Sequence, residues 1–211
     1  MQTTLHQHLK DSTRKRHEQA EGHPFQGALA QGKLPLASYR RYLVQLAHLH
    51  REFENQLRNA EGNPAVRSVV HDEHYQLPFL QDDLKALGTD MNSETALPVV
   101  VEFAQSRTFS DDPRTLLGVL YVLLGSKHGG KFIAHQVRET YGLQDAGYTY
   151  FDPFKDRFKP LWQDFTSALN ALPDDEQLRN GVLQGADATF DVFVQIGDAI
   201  WRAQQASVAH N

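Results

Sequence analysis

Cysteine is absent from this 211-residue chain. That removes disulfides, thiolate metal ligands, iron–sulfur clusters and any cysteine nucleophile together, and it fits a reducing compartment. Long apolar runs are missing as well: no segment reaches the roughly 18 consecutive apolar residues that a membrane span needs. The opening residues, MQTTLHQHLKDSTRKRH, lack the apolar stretch of a secretory leader. The expectation is a soluble cytoplasmic protein with no membrane partner. Positive charge is not in excess, since the net charge is −5, which argues against bulk nucleic-acid binding. No segment alternates as a half-buried strand does. Internal repeats, a phosphate loop and a nucleophile elbow are not found either.

What is present is helical periodicity from end to end, so the chain is expected to be all-α, with one domain over residues 1–211. At that length roughly 70 % of the unfolded surface can be buried, enough for a core with an internal pocket. Helices are predicted over 3–21, with Thr3 or Thr4 as cap, over Pro24–Gly32 and over about Leu36–Ala60. Gly62-Asn63-Pro64 breaks the chain. A histidine-bearing helix is expected from Pro64 to about Tyr75, and another from Leu77 to a cap at Gly88. Residues 94–107 read as helical around Pro98, and Ser110–Pro113 as a helix start. The following helix continues to about Tyr141. Gly142–Phe154 is a predicted loop, 155–171 a helix, and Pro173–Glu176 opens the last one, to about Gln205.

Leu117–Gln136, LGVLYVLLGSKHGGKFIAHQ, reads as a single helix with Gly125, Gly129 and Gly130 at its middle. Each glycine inside a helix costs roughly 1 kcal/mol against alanine. Gly125 and Gly129 share a face, where the main chain is open to a flat ligand. Close helix packing or a kink would use the same residues, and spacing alone leaves these readings open.

In the first helix Leu5, Leu9, Thr13, His17 and Ala20 recur at three- and four-residue steps. Glu21 stands one turn after His17, where its carboxylate can accept the Nδ1–H and leave Nε2 free for a metal. Lys10 and Arg14 lie on the same side and could reach carboxylates of a flat ligand. Lys15 and Arg16 read as a solvated basic face. His71 and His74, three apart, read as a solvated helix surface, His48 and His50 are not a pair, and His6, His8 and His210 belong to the termini.

Taken together, Leu9-Lys10-x-x-Thr13-Arg14-x-x-His17-x-x-x-Glu21, the helix Tyr39–Leu57, Gly118–Leu123 with Gly125-Ser126-x-x-Gly129-Gly130, and Ala186-x-Ala188-Thr189-Phe190-x-x-Phe193 resemble the haem oxygenases. The spelling and short length look most like the bacterial enzymes that supply biliverdin. The resemblance implies a multi-helix bundle with haem, both substrate and cofactor, between the first helix and a glycine-kinked distal helix. It implies His17 as iron ligand, Glu21 as its hydrogen-bond partner, and Gly125, Ser126 and Gly129 at the reacting face. Gly130, Thr13 and Phe190 would line the haem, with Lys10, Arg14 and Lys159 at its propionates. The implied reaction yields biliverdin, CO and ferrous iron, with electrons from a ferredoxin or a reductase and, as an implied acceptor, a phytochrome.

Three departures stand out. Ser126 replaces an aspartate found in many members, Leu124 a glutamate, and His128 sits inside the glycine stretch, outward or flanking. A haem carrier or sensor of the same fold is the alternative. Thiaminase-like enzymes imply a catalytic cysteine, and haem-oxygenase-like di-iron oxidases need converging carboxylates and histidines.

Overall fold

The computed structural model describes residues 3–209, and among these every regular element is helical. Helix α1 (Leu5–Glu21) starts at Thr4, whose hydroxyl accepts the Gln7 amide at 3.2 Å. The others are α2 (Pro24–Ala30), α3 (Leu36–Asn59), α4 (Pro64–Val69), α5 (Leu77–Ala86), α6 (Pro98–Ala104), α7 (Arg107–Asp111), α8 (Thr115–Gly125), α9 (Lys127–Tyr141), α10 (Phe158–Asn170) and α11 (Glu176–Ala209). No helix among the described residues is long and apolar enough to cross a membrane. His210 lies outside the described residues.

The core forms where α8 meets α11. Every residue of α8 from Thr115 to Leu124 is buried, as a helix apolar all round must be. A Cβ on Gly118 would stand 1.8 Å from the Val182 carbonyl oxygen, and one on Gly185 would stand 1.9 Å from that of Thr115. The two helices therefore touch backbone to backbone. Helix α1 lies on α11, and α3 packs on α5, α6 and α11.

Three expectations change. The helix predicted over Leu117–Gln136 is two helices meeting at Ser126. The Ser126 hydroxyl donates to the Leu123 carbonyl at 2.8 Å and His128 Nδ1–H to that of Gly125 at 2.9 Å, so side chains take over carbonyls at the bend. Second, the helix predicted from Pro64 to Tyr75 stops at Val69 and gives way to a 3₁₀ turn, Asp72–His74. His74 is not solvated: it is buried against Phe165, and its Nδ1 accepts the His71 amide at 3.0 Å. Third, the predicted loop Gly142–Phe154 contains a 3₁₀ turn, Thr149–Phe151. The buried Asp83 carboxylate holds that turn, accepting from the Gly147, Thr149 and Tyr150 amides and the Thr149 hydroxyl at 2.7–2.9 Å.

Candidate functional site

His17 stands near the end of α1 with 55 % of its side chain exposed. Its Nδ1 is 3.4 Å from Glu21 Oε2, longer than a strong hydrogen bond, so the carboxylate steers the imidazole loosely. The Phe190 ring of α11 meets the imidazole edge to face, with centroids 6.0 Å apart. That contact backs the histidine on its buried side and leaves the other edge open. Thr13, one turn earlier, is buried, and its hydroxyl donates to the Leu9 carbonyl at 2.8 Å. It shapes the wall and has no hydroxyl proton left for a ligand.

Helix α1 docks through the buried Leu5, Leu9 and Thr13, and a residue assigned above to solvent adds an ion pair to that contact. Arg16 pairs with Asp187 at 2.8 Å and with Asp191, both on α11. The basic run therefore has two sides, one clamped to the last helix and one free. Lys10, Arg14 and Lys15 are on the free side, exposed and outside any ion pair among the described residues, as is Lys159 on α10.

Gly125 closes α8, and Gly129 and Gly130 lie in the first turn of α9. A Cβ on Gly129 would meet no heavy atom within 4 Å, and one on Gly125 would meet only the Trp162 ring, at 3.6 Å. Phe132 follows on that face at 58 % exposure. Gly130 is not on this face. Its Cβ would fall 1.8 Å from the Phe151 carbonyl oxygen, so its expected place beside a cofactor is corrected to one of packing. Ser126 is exposed, and its hydroxyl proton is spent on the helix bend.

His128 flanks the strip as expected. Its ring stands edge-on to Phe158 and Trp162 at 4.8 and 4.9 Å. Because Nδ1–H donates to the Gly125 carbonyl, Nε2 is the acceptor nitrogen of the neutral ring. His6 of α1 reaches the same wall, 5.8 Å from Trp162 and 6.0 Å from Tyr121. Burial holds its pKa below the ordinary histidine value, helped by Lys10 and His128. Sequence reasoning missed Trp162 and Phe132. Only Phe132 left a signal, seven residues after Gly125 and so on its face. Both α1 and α9 pack on α2, and both reach Trp162 of α10, α1 through His6 and α9 through His128.

Helix α1 thus offers a nitrogen ligand beside a carboxylate, and α9 a stretch of backbone bare of side chains at Gly129. Free cations stand on α1 and α10. This set suits a flat, apolar, dianionic metal complex. The Heme oxygenase family model matches residues 3–199. The chain belongs to the haem oxygenase family. Within that family, Heme oxygenase 1 of Gallus gallus is 24 % identical over 95 % of this chain and 71 % of its own length. Heme oxygenase of Xanthomonas campestris pv. campestris (strain 8004) is 29 % identical over 79 % of this chain and 92 % of its own. The crystal structure of heme oxygenase-2 from Synechocystis sp. PCC 6803 in complex with heme and NO superposes with a TM-score of 0.89 at 21 % identity. It covers 98 % of this chain and 88 % of that one, a likeness that speaks for the haem oxygenase fold.

Proposed function

We propose that the chain binds haem between α1 and α9 and, with O2 and reducing equivalents, cleaves it to biliverdin, CO and ferrous iron. The observation that carries this reading is the bare backbone at Gly129, where an added Cβ would meet no heavy atom within 4 Å, on the face that the exposed Phe132 shares. Haem, when bound, supplies both the iron that activates O2 and the porphyrin edge that is oxidised. His17 holds the iron through Nε2, and Glu21 keeps the Nδ1 proton in place. Lys10, Arg14 and Lys159 attract the two carboxylates at the mouth. Phe190 fills the buried side of His17. The bare backbone at Gly125 and Gly129 leaves room at the reacting face, and Ser126 marks its rim. Electrons come from a ferredoxin or a reductase, and a phytochrome is a fitting acceptor of the product. The cysteine-free composition supports work in a reducing cytoplasm.

A second reading, a haem carrier or sensor, draws support from Ser126, whose hydroxyl proton is engaged with Leu123 and does not face a ligand. Hemin added to the purified protein, followed by a reductant in air, separates the two. A Soret band that forms and decays as biliverdin absorption grows supports cleavage. A Soret band that persists supports the carrier. No stoichiometric complex would remove both.

A further inference from the structure

The side of α9 away from the glycine face carries a group that the haem reading does not use. Of residues 126–131, only Lys127 and Gly130 are buried. Lys127 points about 160° away from Gly129 around the helix. Its Nζ stands 3.3 Å from the centre of the Tyr150 ring and has no hydrogen-bond partner. Gly130 meets the carbonyl of the next residue, Phe151. Both contacts fall on the 3₁₀ turn Thr149–Phe151, which the four donors to Asp83 fasten to α5. The first turn of α9 therefore rests on a fixed support through one side chain and one glycine.

Behind that support the polar chain continues into α3. The Tyr150 hydroxyl is 3.0 Å from His50 Nε2, and His50 Nδ1 is 3.1 Å from Glu54 Oε1. The same Glu54 oxygen accepts the Gln76 and Leu77 amides at 2.8 Å each. A carboxylate collecting three donors is the acceptor, so His50 carries its proton on Nδ1 and takes the Tyr150 hydroxyl proton on Nε2. The titratable and charged groups on this side of Lys127 are thus Tyr150 from the turn, Asp83 from α5, and His50 and Glu54 from α3. Burial presses the Lys127 amine well below the ordinary lysine range, with Asp83 pulling the other way. An ammonium is drawn to the Tyr150 face and to Asp83, whereas a neutral amine loses both attractions.

We propose that Lys127 is a positioning residue: through the Tyr150 ring it sets where the first turn of α9 stands, so its gain or loss of a proton moves the Gly125–Gly129 face. The proposal rests on the reading of that face as the haem-facing wall. It is tested on the full chain without hemin, labelled with ¹³C-lysine and ¹⁵N-glycine. The Lys127 ε-methylene shift and the Gly125 and Gly129 amide shifts are followed across neutral and alkaline pH. The expected result is one shared midpoint below that of the other lysines, with the glycine titration lost in Lys127→Met at unchanged circular dichroism. Glycine shifts that stay flat, or that turn at a midpoint other than that of Lys127, overturn the proposal. So does a glycine titration that survives in Lys127→Met. If that variant does not fold, the two midpoints in the unaltered chain still decide. A parallel hemin titration separates the failures: coupled glycines without a haem complex sink the haem wall, and a complex with uncoupled glycines sinks the role of Lys127.

Discussion

Two adjacent glycines on α9 have opposite tasks, and a single methyl group distinguishes them. Gly129→Ala adds a Cβ into open space, so the helix should gain up to about 1 kcal/mol from propensity while hemin binds roughly tenfold or more weakly. Gly130→Ala drives its Cβ into the Phe151 carbonyl and should cost about 1–3 kcal/mol. Urea denaturation and hemin titration of both variants check the pair, and equal behaviour would refute the assignment of faces. Near the other wall, Glu21→Gln removes the charge that steers His17. Carboxylate partners of metal-bound histidines carry roughly 10–100-fold in affinity, and the long 3.4 Å contact points to the lower end, about tenfold. His17→Ala should abolish the histidine-ligated Soret band, and an unchanged spectrum would remove His17 as ligand.

Between elements, the contact that fixes the distal wall is the crossing of α8 and α11. Gly118 and Gly185 each lie under 2 Å, at the Cβ position, from a carbonyl oxygen of the facing helix. No rotamer change relieves a clash with backbone, so Gly118→Ala must push the helices apart. The expected loss is about 3 kcal/mol, at or above the upper end for overpacking, measured as a lower urea midpoint at unchanged slope. The shift would travel along α8 to the bend at Ser126, so hemin affinity should fall in this variant although Gly118 is fully inside the core. The bend itself depends on side-chain donors at Ser126 and His128, and these place Gly125 over Trp162.

For the molecule as a whole, buried histidines make stability depend on pH on the acid side. Burial is the main cause that lowers His74 from 6.5 to about 4, with the charge of His71 second; burial lowers His50 in the same direction. A group depressed in the folded state binds its proton more readily when unfolded. Its contribution is therefore complete above pH 6.5 and lost as the pH falls toward 4. Between pH 7.5 and pH 5 the His74 share should be about 2 kcal/mol. Urea midpoints at the two pH values, compared with those of His74→Asn, check it: the pH dependence should shrink by about that amount, and an unchanged dependence would acquit His74.

Much of this was legible in the residues themselves. Periodicity, Pro at helix starts and Gly at their ends depend on neighbours along the chain, so helix identity followed from local chemistry, and the Leu9–Glu21 and Gly125–Gly129 patterns named the residues of the proposed haem site. Distinctions that depend on neighbours across space did not follow. Gly129 and Gly130 are alike in sequence, and only the approach of Phe151 separates them. Lys15 and Arg16 look like one solvated run until Asp187 and Asp191 claim the second. Lys127, His50, Tyr150 and Asp83 are spread over four elements, and a lysine in a glycine-rich stretch reads as exposed. It is buried because α9 lies against a turn that another helix holds, an arrangement set by long-range packing and invisible to spacing.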